Sequence, residues 1–402
     1  MSVSTKQGLM NHSLAIAIAA KAMQMKHNGM DVIGFDECEP NFEAPIHIKE
    51  AAKKALDEEL TYTKATCIEE LKGAICKKLK KDNNLYYSPE EILVSCGIKH
   101  SLFNAILALC NKGDEVILPS PYWPDYLEMI KIAGAKPVIL KTTQENSFKI
   151  KPWQLKKLIT PRTKLLLLNS PSNPAGMVYT KPELLFIRKI LVENGVFCLS
   201  DEIYEKIIYD GHEHVSIASL DPEMKRLTIV VNGFSQMYSM PAWRIGYAAG
   251  KKEIIEAMGN VQRHSNSHPP YISQKATLAA LEGPQDSIAT MIAQFDRKRN
   301  YIMKKLNFMN GVFCLLPMGT SYVFPDFSLI IGETFKGKVI KNTNSLAEIL
   351  LTEANVKVIP GSVFGVDDNV RLSYTTSMEN IVEGLQRIEE FINNIMSRRM
   401  SS

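Results

Sequence analysis

Residues 164–201 read KLLLLNSPSNPAGMVYTKPELLFIRKILVENGVFCLSD. The stretch contains two predicted strands, 164–169 and 196–200, whose apolar residues are consecutive over 165–168 and 196–199, and a helical pattern over 182–193 joins them. Strands that are apolar without alternation are buried on both faces, which is typical of a parallel sheet covered by helices. This strand, helix and strand unit therefore predicts an α/β fold.

The same alternation of short apolar runs and helical patterns continues on both sides of this unit. Further predicted strands are 92–97, 115–119, 136–140, 227–232 and 244–250, separated by helical patterns such as 101–110, 126–133 and 252–262. Helices between consecutive strands provide the crossovers that a parallel sheet needs. We predict a large α/β domain over residues 45–290, with a mainly parallel sheet covered by helices.

After residue 285 the pattern changes. A long helix over 287–306 is predicted, then strands near 312–316, 321–327, 356–359 and 370–374, and a closing helix over 378–395. Strands and helices that do not alternate regularly favour an α+β arrangement. We expect a smaller α+β domain formed by residues 1–44 together with 291–402.

Composition excludes several classes of protein. At roughly 150 residues per domain, the 402 residues correspond to about 2.7 domains, which predicts two domains or one large domain with a smaller one. A content of 45% hydrophobic and 22% charged residues excludes collagen-like, disordered and disulfide-scaffold chains. A net charge of +4 is too small for a nucleic-acid partner, and no apolar run is long enough for a membrane span. The seven scattered cysteines form no CxxC pair, which predicts no metal site and favours a reducing cytoplasm.

Two strand ends are followed by groups that can bind a phosphate. Gly97, Ile98 and Lys99 lie between a predicted strand and a helix, where backbone N–H groups are available to an anion. Ser235 and Arg244 follow the strand 227–232, and both can donate to a phosphate, the arginine with two N–H groups. Taken alone, this is a weak signal, because a glycine before a helix most often forms an ordinary turn.

Two other strand ends carry polar side chains. Asn173, between two prolines in SPSNPAG, follows the strand 164–169 and can provide an orienting hydrogen bond. Asp201 follows the strand 196–200 and needs a cationic partner or water if it is buried. A rigid proline turn and a helix cap remain the alternatives. Because open α/β sheets bind ligands at the carboxyl ends of their strands, we predict the site at this edge.

In this order the motifs resemble a known family, the class I aminotransferases of fold type I, in particular the bacterial aspartate and aromatic aminotransferase branch. The enzymes of this family use pyridoxal 5′-phosphate. The resemblance extends from about residue 13 to 395, through DVIGFDECEPNF, ILVSCGIKHSLFN, GDEVILPSPYWPDY, LLLLNSPSNPAG, SDEIYE, VNGFSQMYSMPAWRIGYAAG, LPMGTSYVFPD, VIPGSVFG and RLSYTTS.

The resemblance implies a role for each residue of the cofactor site. Asp201 would pair with the protonated pyridine nitrogen, which keeps the ring an electron sink, while Tyr204 and Asn173 would donate to the ring hydroxyl oxygen. Trp123 would stack on the ring. The residues implied for the phosphate are Gly97, Ile98, Lys99, Ser235 and Arg244.

The resemblance also implies how substrate and a second subunit take part. Arg371, in VRLSY, would bind the substrate α-carboxylate by a two-pronged salt bridge, with Asn173 and Trp123 beside the substrate. Cys38 replaces the glycine of a loop that lies against the substrate, so its Cβ would narrow the approach. Tyr62 would reach the phosphate of the neighbouring subunit, which predicts a homodimer with shared sites.

One expected residue is missing. The lysine that forms the Schiff base with the cofactor in this family is Gln236 here, and an amide nitrogen has no basic lone pair with which to form an imine or act as a base. Either the lysine was deliberately replaced to trap a complex or it was lost naturally. Further departures from the family pattern favour natural divergence: Cys38, Thr66-Cys67, Pro241-Ala242 and Ser321.

Two functional hypotheses follow. The first is an aminotransferase that moves an amino group between an amino acid, of aspartate or aromatic type, and a 2-oxo acid, with turnover impaired by Gln236. The second is a catalytically silent homologue that acts as a binding or regulatory protein. In both, pyridoxal 5′-phosphate or pyridoxamine 5′-phosphate is bound without a covalent link.

Overall fold

The computed structural model describes residues 14–37, 39–58 and 67–399. Its helices are α1 (Leu14–His27), α2 (Ile46–Leu56), α3 (Glu69–Asn83), α4 (Ile98–Leu109), α5 (Pro124–Ile132), α6 (Pro152–Leu158), α7 (Lys181–Asn194), α8 (Pro222–Leu227), α9 (Lys252–Arg263), α10 (Tyr271–Glu282), α11 (Asp286–Phe308), α12 (Thr343–Ala354) and α13 (Met378–Arg399). Its strands are β1 (Ile33–Gly34), β2 (Ile92–Ser95), β3 (Glu115–Ser120), β4 (Lys136–Lys141), β5 (Thr163–Asn169), β6 (Phe197–Asp201), β7 (Thr228–Gly233), β8 (Gly246–Ala249), β9 (Tyr322–Val323), β10 (Thr334–Phe335), β11 (Lys338–Val339), β12 (Val356–Lys357), β13 (Ile359–Pro360) and β14 (Val370–Ser373).

The main sheet has seven strands in the order β2-β8-β7-β6-β5-β3-β4. The pairs from β7 to β4 are all parallel, and β8 runs antiparallel to both β7 and β2. Every apolar run that predicted a strand between residues 92 and 250 forms one of these seven, with ends that agree to within two residues. The α/β prediction with a mainly parallel, helix-covered sheet is confirmed.

The run of four leucines in β5 explains why the pattern does not alternate. Leu165 and Leu167 pack into a core shared with α4, α5 and α9 on one face of the sheet. Leu166 and Leu168 pack into a second core with α6 and α7 on the other face. Successive strand side chains point to opposite faces, so a strand that is covered on both sides needs an apolar residue at every position.

The remaining strands form small sheets around a separate core. Strand β1 pairs in parallel with β12, β14 lies antiparallel between β13 and β9, and β10 forms a hairpin with β11. Their apolar side chains pack with those of α11, α12 and α13. The two domain boundaries given by the sequence analysis stay a prediction.

One strand prediction in this part is wrong, and one hairpin was missed. Residues 312–316 make only an isolated bridge, between Phe313 and Asp326, and the Phe313 side chain is 54% exposed. The apolar run there contributes only part of its side chains to the core. The β10–β11 hairpin turns at Lys336 and Gly337, both with positive φ, which is the geometry of a two-residue hairpin turn.

Among the described helices, none combines the length and apolar character that crossing a membrane requires.

Candidate active site

The carboxyl ends of β5 and β6 meet at one edge of the sheet. Asn169 and Asp201, the last residues of these strands, are partners in the register. The Asn169 side chain donates to the Asp201 carbonyl oxygen at 3.1 Å and accepts the backbone N–H of Asn173 at 2.8 Å. Asn169 therefore joins the turn that carries Asn173 to the strand that ends at Asp201.

The carboxylate of Asp201 is buried, with 4% of the residue exposed. The hydroxyl of Tyr126 donates to its Oδ2 at 2.5 Å, and the amide of Ile203 donates to its Oδ1 at 3.2 Å. Burial raises the pKa of Asp201 to about 6, the two donors oppose this, and the neighbouring charge of Glu202 adds to it. None of these groups is a cation, so the site favours a positively charged ligand at this carboxylate.

Glu202 points into a polar network behind Asp201. Its Oε1 accepts hydrogen bonds from Ser200 and Ser216, at 2.8 and 2.7 Å, and its Oε2 lies 2.9 Å from His214 Nε2. Glu202 is 1% exposed, so these bonds replace the water that a buried carboxylate would otherwise need. The network fixes the backbone that follows Asp201.

The second glutamate of this network, Glu205, is paired with a lysine. Its carboxylate forms an ion pair with Lys78 and accepts from Asn83 Nδ2 at 2.7 Å. Burial would raise the pKa of Glu205, but Lys78 and His214 outweigh it and lower the pKa to about 2. The ligand atoms of Glu202, Glu205 and His214 lie within 4.8 Å of one another, with Lys78 already supplying the positive charge.

Arg371, on β14, is buried close to Asn173. Its Nη1 donates to Asn173 Oδ1 and its Nη2 donates to the Asp36 carbonyl oxygen, both at 3.1 Å. The guanidinium carbon lies 4.5 Å from the centre of the Tyr322 ring and 5.1 Å from that of Phe364. Rings on its faces and acceptors at its nitrogens fix the plane of the guanidinium group, which prepares it to bind a carboxylate.

Tyr204 connects the Asp201 segment with the arginine site. Its hydroxyl lies 3.0 Å from the hydroxyl of Tyr322, and the two rings meet edge to face at 5.8 Å. Tyr322 also lies against Arg371. A continuous set of hydrogen bonds through Asn169 and Asn173 joins Arg371 to the Asp201 backbone. Asp201 and Tyr204, which share the motif SDEIYE, and Arg371, from the distant motif RLSYTTS, therefore lie in one region.

Trp123 reaches the same region through Tyr126. The two rings meet edge to face, with centroids 5.3 Å apart and planes at 84°. Lys99 Nζ lies 5.0 Å from the centre of the Trp123 ring and forms an ion pair with Asp125. The aromatic group and the phosphate loop predicted from the sequence are thus adjacent.

The predicted phosphate loop is tightly packed. Gly97 has φ +84°, and a Cβ there would lie 2.7 Å from Arg244 Nη2. A Cβ at Gly246 would lie 2.6 Å from the Ile98 nitrogen. Because α4 begins at Ile98, its first N–H groups have no partner within the helix. The loop therefore combines helix N–H groups with the Arg244 guanidinium, a donor set that suits a phosphate.

Gln236 and Ser235 lie in the turn that follows β7, the neighbour of β6. Gln236 is 8% exposed and Ser235 is half-buried. The turn is anchored by Phe234 and Met237, which pack into the core between the sheet and α3. The position that the resemblance assigns to the lysine is thus held inside the protein rather than on a mobile surface loop.

Three of the sequence predictions, on Cys38, Tyr62 and Thr66, lie outside the described residues. Cys67 is described and has φ +123°, a backbone conformation that favours glycine. Ser321 is fully buried, and its hydroxyl has no hydrogen-bond partner within the described parts of the chain.

The sequence analysis missed several residues of this region. Tyr126 lies in α5. Its hydrogen bond to Asp201 is a tertiary contact that no local sequence pattern predicts. Asp36 contributes a backbone carbonyl, which residue type does not predict. Asn169 carried a usable signal, because it ends an apolar strand beside the SPSNPAG turn.

This fold and this arrangement of groups define a class of protein. Residues 30–388 match the family model described as aminotransferase class I and II, and the chain belongs to this family. It is 46% identical over 381 residues to an aspartate aminotransferase of Bacillus sp. (strain YM-2), with 94% of this chain and 96% of the relative covered.

Two further comparisons agree. An aspartate/prephenate aminotransferase of Cereibacter sphaeroides is 43% identical over 382 residues, which cover 94% of this chain and 96% of that protein. The crystal structure of the aspartate aminotransferase from Rhizobium meliloti superposes with a TM-score of 0.96 at 38% identity, and the match covers 98% of this chain and all of that one. The fold is therefore fold type I.

Membership of this family implies pyridoxal 5′-phosphate as cofactor, and the residues described above fit it. Within the described part of the chain, the hydrogen-bond donors to the buried Asp201 carboxylate are neutral, so this carboxylate suits a protonated ring nitrogen. The Gly97 loop, with the start of α4 and the Arg244 guanidinium, suits a phosphate. The negative charge of Asp201 matches the protonated ring nitrogen of the cofactor, and the positive charge of Arg244 matches its phosphate.

Proposed function

We propose that this protein binds pyridoxal or pyridoxamine 5′-phosphate without a covalent bond. We propose further that it transfers amino groups between an amino acid of aspartate or aromatic type and a 2-oxo acid, at a rate far below that of relatives with a lysine. The observation that carries the proposal is a buried Asp201 carboxylate that accepts from the neutral donors Tyr126 and Ile203, in the same hydrogen-bond network as Arg371. Aspartate and prephenate are named in the relatives' own descriptions.

Each end of the site has a separate task. The carboxylate of Asp201 holds a proton on the ring nitrogen, and the bound cofactor then supplies the electron sink that amino-group transfer requires. Arg371 binds the substrate carboxylate through its fixed guanidinium plane. The Gly97 loop and the Arg244 guanidinium would hold the phosphate of the cofactor.

Gln236 removes two functions from this site. Its amide cannot bond covalently to a carbonyl compound, and it cannot take or give a proton near neutral pH. General acid–base catalysis contributes typically a hundred- to ten-thousandfold in rate, so we expect turnover to fall by at least this factor. Asp201, Arg371 and the phosphate loop can bind cofactor and substrate without a lysine amine at position 236.

Reduction with borohydride followed by mass spectrometry tests the first part. We expect purified protein loaded with pyridoxal phosphate to yield no phosphopyridoxyl group on a single specific lysine, while equilibrium dialysis shows one cofactor per chain. The Gln236→Lys variant, treated identically, is the positive control and should be labelled at residue 236. Specific labelling of another lysine in the unaltered chain would contradict the proposal.

A second candidate function rests on the same residue. Gln236 is compatible with a catalytically silent homologue that binds the cofactor and acts as a binding or regulatory protein. Single-turnover measurements separate the two functions. Pyridoxamine phosphate bound to the protein and mixed with a 2-oxo acid yields a new amino acid if transfer persists, and none above the rate in protein-free solution if the protein is silent.

We also propose a homodimer in which Tyr62 completes the phosphate site of the opposite subunit. The assembly is what the resemblance to the family implies, and the chain matches the family model over residues 30–388. Sedimentation should give a dimer, and Tyr62→Phe should weaken cofactor binding while leaving the dimer intact. A monomer that binds the cofactor with full affinity would contradict this proposal.

A further inference from the structure

We propose that Tyr126 is a positioning residue for the cofactor site: its hydroxyl keeps the Asp201 carboxylate charged and oriented for the ring nitrogen, and its ring supports Trp123. The inference rests on the proposed function, because it concerns the same site. Nothing in the local sequence pattern of α5 singles out this residue.

The hydrogen bond between the two side chains is short and fully enclosed. Tyr126 is 1% exposed, and its hydroxyl lies 2.5 Å from Asp201 Oδ2. The other carboxylate oxygen accepts from the Ile203 amide, so the two donors together fix the plane of the carboxylate. Donors to an ionised acceptor form stronger hydrogen bonds than those between neutral groups.

The ring of Tyr126 contacts a second group of the site. It packs edge to face against Trp123, the side chain that the resemblance places on the cofactor ring. One residue therefore contacts both the group expected at the ring nitrogen and the group expected at the ring face. Phenylalanine at this position would keep the ring contact and remove only the donor.

The charges around this pair determine the direction of the effect. Asp201 faces Glu202, the next residue after its strand, and Tyr126 faces Asp201, Tyr204 and Asp125, so among the described residues no cation acts on the pKa of the buried carboxylate. The pKa of Asp201 is raised by burial and lowered by Tyr126. Loss of the hydroxyl therefore raises it further, and the carboxyl retains its proton at a higher pH.

The experiment measures the dissociation constant of pyridoxal phosphate between pH 5 and 8.5 for the unaltered protein and for Tyr126→Phe. Below the pKa of Asp201 the carboxyl must release a proton before it can pair with a cationic ring nitrogen, so affinity falls on the acid side. We expect Tyr126→Phe to weaken binding about 10- to 100-fold near neutral pH, as for loss of a hydrogen bond to a charged group. We also expect the acid limb of the profile, which is the fall in affinity for pyridoxal phosphate on the acid side, to lie at higher pH in Tyr126→Phe than in the unaltered protein.

Two controls distinguish positioning from general damage. Tyr179→Phe removes another buried hydroxyl, which accepts the Ile150 amide at 2.8 Å, and should change neither the affinity nor the acid limb. In an Asp201→Ala background, Tyr126→Phe should have no further effect on affinity, because the two residues act through one bond.

The possible outcomes separate the two proposals. Additive effects in the double variant, or an unchanged affinity and acid limb in Tyr126→Phe, would overturn the inference while leaving the proposed function intact. An unaltered protein that does not bind pyridoxal phosphate at any pH would overturn the proposed function, and the inference with it.

Discussion

Replacement of Asp201 by asparagine should stabilise the cofactor-free protein at neutral pH. The pKa of this carboxyl is about 6 in the folded protein against 3.8 ordinarily. Each pKa unit corresponds to 1.36 kcal/mol, so holding Asp201 ionised costs the folded state about 3 kcal/mol. Asparagine has nearly the same shape as aspartate but carries no charge. The folded state of the Asp201→Asn variant is therefore not destabilised by a buried charge at this position.

The sign of the pH dependence follows from the raised pKa. Because the folded protein holds this proton more tightly than the unfolded chain, Asp201 stabilises the fold fully below about pH 4, and this contribution is lost as the pH rises through about 6. An amide cannot accept from both Tyr126 and Ile203 as a carboxylate does, which lowers the stability of the variant by about 1 kcal/mol at every pH. The free energy of unfolding of the variant, minus that of the unaltered protein, should therefore increase by about 3 kcal/mol between about pH 3 and pH 8.

Urea unfolding of the cofactor-free protein, followed by tryptophan fluorescence at several pH values, measures this difference. Asp57→Asn, at the exposed end of α2, is the matched control and should stay within about 0.5 kcal/mol of the unaltered protein. With saturating cofactor the unaltered protein should be more stable than the Asp201→Asn variant, since only the aspartate can form an ion pair with a cationic ring nitrogen. A difference for Asp201→Asn that does not change with pH would refute the reasoning.

Three further predictions concern the rest of the site. Gln236→Lys should gain covalently attached cofactor but turn over poorly with a panel of amino acids and 2-oxo acids, because misplacement by about 1 Å costs roughly a hundredfold; robust turnover would show that the other loop changes are harmless. Arg371→Lys should weaken binding of a 2-oxo acid about 10- to 100-fold by calorimetry, through loss of the two-pronged contact, whereas Arg387→Lys on α13 should bind like the unaltered protein. Gly97→Ala should weaken the binding of pyridoxal phosphate more than that of pyridoxal, because the new Cβ meets Arg244 at 2.7 Å; equal losses for both ligands would count against a phosphate role for this loop.

Most of the main sheet was predictable because its strands are buried on both faces. Such burial selects apolar residues at consecutive positions, as in β5, and this selection is visible in the sequence without any knowledge of tertiary contacts. The strand predicted at 312–316 failed for the converse reason: an apolar run indicates burial but does not provide a neighbouring strand with which to pair.

The candidate site was predictable only in part. Residues at strand ends, such as Asp201 and Asn173, could be located because the topology of parallel sheets brings these ends together. Arg371 was assigned through resemblance to a family and not from spacing. Tyr126 and the carbonyl of Asp36 act through contacts with distant parts of the chain, and a single sequence holds no local signal for such contacts.

The pairing of β1 with β12 affects the order in which the protein can fold during its synthesis on the ribosome. Residues 33–34 are synthesised before the strands of the main sheet, and their partners, residues 356–357, are synthesised after them. At roughly 5–20 residues per second, the ribosome takes on the order of tens of seconds to make the intervening chain. All seven strands of the main sheet leave the ribosome within that interval. We therefore expect the nascent chain to assemble that sheet before β12 has been synthesised and can pair with β1.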